Sequence, residues 1–189
     1  MMKSVLIAIR PQWVEKIASG EKTIEVRKTA PKCETPFKCY IYMTQGKLKD
    51  LGIYSEWVYK NRMKVIGEFI CDRVYKWECK NRLEILESFP TWRASYMLFV
   101  DDLEKTCLTY DDLWDYGNGK PLYGWHISDL KIYDKPKDLS EFSRPCSYSG
   151  LCFSCKRTSF KKDGNLLCNT KITRPPQSWM YIEELEEQE

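Results

Sequence analysis

Apolar positions set the first half of the chain into short, recognisable elements. Ser4-Val5-Leu6-Ile7-Ala8-Ile9 is an almost unbroken apolar run and predicts a buried strand. Pro11 then suits the first position of a helix, and Gly20 ends it. Within that helix Val14, Ile17 and Ala18 fall on one face at helical spacing. From Lys22 to Arg27 apolar and polar residues alternate, which predicts a second strand. Pro31 and Pro36 bracket a loop, and Lys38 to Thr44 reads as a third strand. Residues 45–61 show no clear period and are expected to be irregular. Met63 to Trp77, with Val65, Ile66, Phe69 and Ile70 apolar, is expected to contain a long strand.

The second half is less regular. Residues 78–94 are mixed, with one helical turn expected at Leu83 to Leu86, and Tyr96 to Val100 reads as a strand. Thr109 is a good N-cap ahead of Asp111, Asp112, Leu113 and Trp114, and Gly117 stops that helix. Tyr123 to Tyr133 is rich in β-formers. Leu139 closes this body. Between Ser143 and Asn169 the composition shifts toward Cys, Ser, Lys and Gly, as in an inserted segment. Trp179 to Ile182 regains β character and is expected to return to the sheet. Several short strands, two helices and frequent turns predict an α+β protein with a curled sheet or barrel.

Composition changes this picture little. A chain of 189 residues, 43% hydrophobic and 30% charged, is ordinary globular material for one domain with a small appendage. No apolar stretch is long enough for a bilayer, so no membrane is expected. The N-terminal apolar run is short and lacks a small-residue cleavage site, so it does not read as a signal peptide, and the cytoplasm is the expected compartment. The net charge of +3 neither demands nor excludes nucleic acid, because a local basic patch matters more than the total. The tail from Glu183 to Glu189 is strongly acidic, which leaves the body more basic than the sum. Aromatic residues reach 14%, with seven Trp and twelve Tyr, which suits β structure or base stacking.

The densest chemistry lies in Gly20-x-Lys22-x-x-Glu25-x-Arg27. Side chains alternate along a strand, so Thr23, Glu25 and Arg27 share one face while Ile24 and Val26 enter the core. Lys22 nominally falls with the apolar pair, but the turn after Gly20 can aim it elsewhere. Arg27 offers a planar fork for phosphate or a base edge. Glu25 can accept from an exocyclic amine or hold Arg27. Lys22, if desolvated beside a cation, has a lowered pKa and can act as a base. The alternative is a solvated sheet face whose Glu–Arg pair is worth ~0.2–1 kcal/mol. Trp13, Tyr123 and Trp125 can stack bases, at ~1–3 kcal/mol each, or fill the interior. His126, the single histidine, suits acid–base work near neutral pH, or a structural role. Glu68 and Asp72 share a face of the long strand and offer a further carboxylate, or a solvated polar surface.

These residues together resemble a known family. The order of strand, Pro-started helix and Gly-x-Lys-x-x-Glu-x-Arg is similar to the ASCH domain of the PUA-like superfamily. Gly67-Glu68-Phe69, Tyr123-Gly124-Trp125-His126-Ile127-Ser128 and Arg174-Pro175-Pro176-Gln177-Ser178-Trp179 add to the likeness. It covers roughly residues 3–140 and 172–183. The resemblance implies a mixed β-barrel with flanking helices and a cleft lined by the motif, binding RNA or a nucleoside. Some relatives bind RNA, some cleave it, and some deacetylate N4-acetylcytidine. The cleaving relatives imply Lys22 with Ser128 as a catalytic pair. The deacylating ones carry a threonine three residues after the motif lysine, where this chain has Glu25. The expected site is therefore Lys22, Glu25 and Ser128 for chemistry, with Thr23, Arg27, Trp13, Glu68, Trp125 and His126 for binding. Hydrolysis of RNA or of a nucleoside amide stands as the alternative to binding.

Nine cysteines are many for this length. Five are scattered and read as small buried hydrophobes. The other four form Cys146-x5-Cys152-x2-Cys155-x12-Cys168, a pattern that can build a tetrahedral thiolate zinc site of structural type. Disulfides are disfavoured in a reducing compartment, and free thiols are the other reading. The basic residues Lys156, Arg157, Lys161 and Lys162 suit phosphate contact, a protein partner, or simple solubility. The expected organisation is a barrel over residues 1–142, a Cys-rich insertion over 143–170, and a returning strand with the acidic tail over 171–189.

Overall fold

The computed structural model describes residues 4–46, 54–78, 102–145, 158–160, 166–168 and 171–183. In chain order the elements are β1 (Ser4–Ile9), α1 (Pro11–Ala18), β2 (Ile24–Arg27), β3 (Phe37–Met43), α2 (Glu56–Asn61), β4 (Val65–Cys71), β5 (Val74–Trp77), α3 (Tyr110–Gly117), β6 (Leu122–His126), β7 (Ser128–Lys137), β8 (Thr158–Phe160), β9 (Leu166–Cys168) and β10 (Trp179–Ile182). Residues 102–106 are also helical.

The strands form a five-stranded sheet in the order β10-β1-β3-β4-β7, a three-stranded sheet β2-β6-β5, and the β8-β9 hairpin. The expected barrel is corrected here: among the described residues both large sheets are open and the architecture is a mixed α+β fold. β1 lies inside the larger sheet, parallel to β3 and antiparallel to β10. This explains its continuous apolar run, because both faces are covered. Val5, Ile7 and Ile9 meet Val14 and Ile17 of α1, while Leu6 and Ala8 face Tyr40, Tyr42 and Phe142 on the other side. Trp179 to Ile182 returns to the sheet, as its β character predicts.

The two long apolar stretches are each two strands. The chain leaves the first sheet after Cys71 and enters the second at Val74; it makes the reverse crossing between His126 and Ser128. The crossings are tied together. His126 N donates to Arg73 O at 3.0 Å, His126 Nδ1 lies 2.6 Å from Asp72 Oδ1, and Ser128 Oγ donates to Ile70 O at 2.8 Å. The region expected to be irregular holds α2, capped by Ser55 accepting from Val58 N and burying Val58. Thr109 caps α3 through a reciprocal capping box with Asp112. The expectations for residues 79–100 lie outside the described residues. No helix among the described residues is long and apolar enough to cross a membrane.

Candidate functional site

Gly20 begins the site. Its φ of +79° is left-handed, which glycine adopts without steric cost, and it ends α1 there. Lys22 N then donates to Lys16 O at 2.9 Å, which folds the chain back under the helix. Lys22 thus precedes β2 and escapes the strand's alternation. Its side chain turns inward, to the same side as Glu25 and Arg27. Ile24 and Val26 pack with Trp77, Leu113 and Leu122.

The three charged side chains are all more than nine-tenths buried. Glu25 lies between the two cations: Oε1 is 3.0 Å from the Arg27 guanidinium and Oε2 is 3.5 Å from Lys22 Nζ. The backbone supplies the other partners. Lys22 Nζ donates to Thr106 O at 2.6 Å, and Arg27 donates to Ala8 O at 2.7 Å. The Trp13 ring lies 5.4 Å from Lys22 Nζ, a cation–π contact. Burial pushes the Lys22 ammonium below its ordinary 10.5, while neighbouring Glu25 opposes that shift. Within this cluster two buried polar atoms, Glu25 Oε2 and Arg27 Nε, have no hydrogen-bond partner among the described residues. The former is held by the Lys22 charge alone.

These groups line a cavity of about 440 Å³. Arg10 and Trp13 stand on the α1 side, and Asp112 and Tyr116 on the α3 side. Thr44 follows β3, and Gln177 precedes β10. Three cations and two carboxylates therefore share the lining, with one aromatic ring on each helix. Burial raises the Tyr116 phenol above its ordinary value. The volume lies within the ~300–1,000 Å³ common for small-molecule sites.

Of the residues expected at the site, Lys22, Glu25, Arg27 and Trp13 meet at this cavity. Five lie outside its lining. Thr23 spends its backbone on Lys105 O and Ile127 N. Trp125 is fully buried. It sits opposite Glu25 in the β2–β6 register but packs edge-on against Phe37, with ring centroids 5.7 Å apart. His126 pairs with Asp72 at the sheet crossing. Ser128 is bonded to Ile70 O, because the break at Ile127 carries it into the other sheet. Glu68 accepts from the Tyr133 hydroxyl at 2.5 Å and lies 3.8 Å from Lys38. Sequence reasoning missed Arg10, Asp112, Tyr116, Gln177 and Thr106. Nothing local marks them: Thr106 lies 84 positions from Lys22.

No metal cluster of His, Cys, Asp or Glu occurs among the described residues. Cys146, Cys152 and Cys155 lie outside those residues, and Cys168 ends β9, where the backbone alone is described.

The fold is that of the ASCH domain. The structure matches the crystal structure of ASCH from Zymomonas mobilis with a TM-score of 0.56 and 16% identity, over 96% of this chain and 89% of that one. It matches a serine-to-alanine mutant of the Zymomonas mobilis protein with a TM-score of 0.57 and 16% identity, over the same shares. At this identity the likeness is one of fold. The sequence matches no protein-family model and no curated protein.

Proposed function

We propose that this chain binds RNA or a nucleoside in the cavity between α1, β2 and α3. The observation that carries the reading is the buried Lys22–Glu25–Arg27 cluster at the wall of that cavity. Buried ion pairs add little net stability, and apolar residues in their place are often as good or better. Three buried charges with two unsatisfied atoms are a poor choice for packing and a reasonable one for ligand recognition. Trp13 and Tyr116 offer π-faces for a base, and Arg10 is a further cation for a backbone phosphate.

Calorimetric titration with nucleosides and short single-stranded RNA tests this. Binding is expected for both, with RNA affinity falling as salt rises while nucleoside affinity holds. Absence of binding to either removes the reading. A second reading, hydrolysis at the same cavity, is favoured by the lowered pKa of Lys22, which brings a lysine toward the range of a general base. It predicts turnover of RNA or an acylated cytidine that Lys22→Met abolishes.

For the Cys-rich segment we propose a structural zinc site of Cys146, Cys152, Cys155 and Cys168. In support, the β8–β9 hairpin sets the backbone of Cys168 opposite Thr158, close in sequence to Cys155. Its surface is a candidate contact for a protein partner. Metal analysis of protein purified without chelator is expected to give about one zinc per chain.

A further inference from the structure

We infer that Thr106 is a positioning residue for Lys22: its hydroxyl closes the turn that aims its own carbonyl at the Lys22 ammonium. The functional weight of this rests on the reading of Lys22 as a ligand-facing group.

Thr106 is fully buried although polar. Its hydroxyl is used twice, donating to Leu103 O at 2.6 Å and accepting from Leu108 N at 3.1 Å. These bonds span the end of the helical residues 102–106 and the start of the segment leading to α3. Cys107, next in the chain, has φ of +53°, a left-handed conformation that a non-glycine residue adopts only under constraint. Its N–H donates to Glu104 O at 3.1 Å. The sharp reversal directs the Thr106 carbonyl to Lys22 Nζ, 2.6 Å away. The same segment is fastened to the backbone beside Lys22, because Thr23 N donates to Lys105 O at 3.0 Å. Leu108, Asp112 and Tyr116 follow along the cavity wall.

The carbonyl matters because the other groups around Lys22 pull in both directions. Glu25 attracts the ammonium and Arg27 repels it; the Cys107 thiol is close enough to add its influence. The Trp13 ring faces it from α1, and Arg10, Asp112 and Tyr116 share the cavity. A fixed carbonyl is the hydrogen-bond acceptor nearest to Nζ in this set. It holds Nζ in one place and favours the charged form against desolvation.

The test is the titration of Lys22 by NMR of ¹³Cε-labelled lysine, assigned by loss of its signal in Lys22→Arg. Thr106→Val keeps the side-chain shape and removes both hydroxyl bonds. It is expected to lower the Lys22 midpoint by about half a pH unit or more, and Thr106→Ser to restore it. A midpoint in Thr106→Val that is lowered by less than that, or raised, overturns the inference. Should Thr106→Val fail to fold, the double variant Thr106→Val with Cys107→Gly serves instead, because glycine relieves the left-handed constraint. A parallel nucleoside titration is expected to weaken about threefold or more in Thr106→Val, the worth of one ordinary hydrogen bond. The lysine titration needs no ligand, so its failure is distinct from a failure of the nucleic-acid reading.

Discussion

Glu25 touches both Arg27 and Lys22, so removing it leaves two cations facing each other out of water. Glu25→Ala is therefore expected to destabilise the fold by ~3–5 kcal/mol in urea unfolding. A loss below about 1 kcal/mol, the scale of an exposed pair, contradicts the buried geometry. Lys22 gives a second prediction, in pH. Its folded-state pKa lies below the ordinary 10.5, so the folded chain releases this proton before the unfolded chain does. Between the folded value and 10.5 the unfolded state binds more protons, and stability rises with pH across that window. Other groups titrate there as well, so the quantity to measure is the difference from Lys22→Met, in which this rise is absent. At this scale the motif residues were legible in sequence because they are close together. Lys22 also shows the limit of strand alternation, since the rule places it in the core with Ile24 whereas the turn at Gly20 puts it with Glu25. Trp125 and His126 carried chemistry by type alone. Their neighbours, Phe37 of β3 and Asp72 of the crossing between β4 and β5, come from distant parts of the chain.

Elements with strong local signals were readable: Pro11 and Gly20 bound α1, and Thr109 and Gly117 bound α3. The missed α2 is six residues long and buries one apolar side chain, too little for a visible period. The two fused strands were unreadable for a different reason. A strand that passes from one sheet to another keeps its apolar content through the crossing, so 63–77 and 123–133 look continuous. Gly67 in β4 records how closely the neighbouring strand approaches. A Cβ at this position would collide with the Lys131 carbonyl oxygen of β7 and lie 3.2 Å from Ile132 Cα. Both are backbone atoms and have no rotamer to yield. Gly67→Ala is expected to cost ~1–3 kcal/mol, read as a lowered urea midpoint. An unchanged midpoint contradicts the β4–β7 packing.

The whole molecule explains why the cavity sits where it does. β2 belongs to the smaller sheet, yet Arg27 reaches the Ala8 carbonyl of β1 in the larger one. Trp179 Nε1 donates to Thr29 Oγ1, and the Tyr181 hydroxyl accepts from Lys32 N, so β10 fastens the loop that follows β2. The cavity occupies the angle between two open sheets, with α1 and α3 as walls. Strand pairing between distant segments is not written in local pattern, which is why the sequence suggested a closed barrel where the described strands form open sheets. With Glu25 and Asp112 beside Arg10, Lys22 and Arg27, the lining is mixed in sign, which suits a base edge as well as a phosphate.

Binding of single-stranded RNA and of nucleosides to the unaltered protein and to Tyr116→Ala tests the account most directly. Tyr116 lines the cavity, is 37% exposed and lies outside the buried core, so its removal is expected to spare the fold. If the cavity is the binding site, Tyr116→Ala lowers affinity by the ~1–3 kcal/mol of a lost stacking partner, about fivefold to 150-fold, with an unchanged unfolding midpoint. Equal affinity of the two proteins, or no measurable binding by the unaltered one, contradicts it.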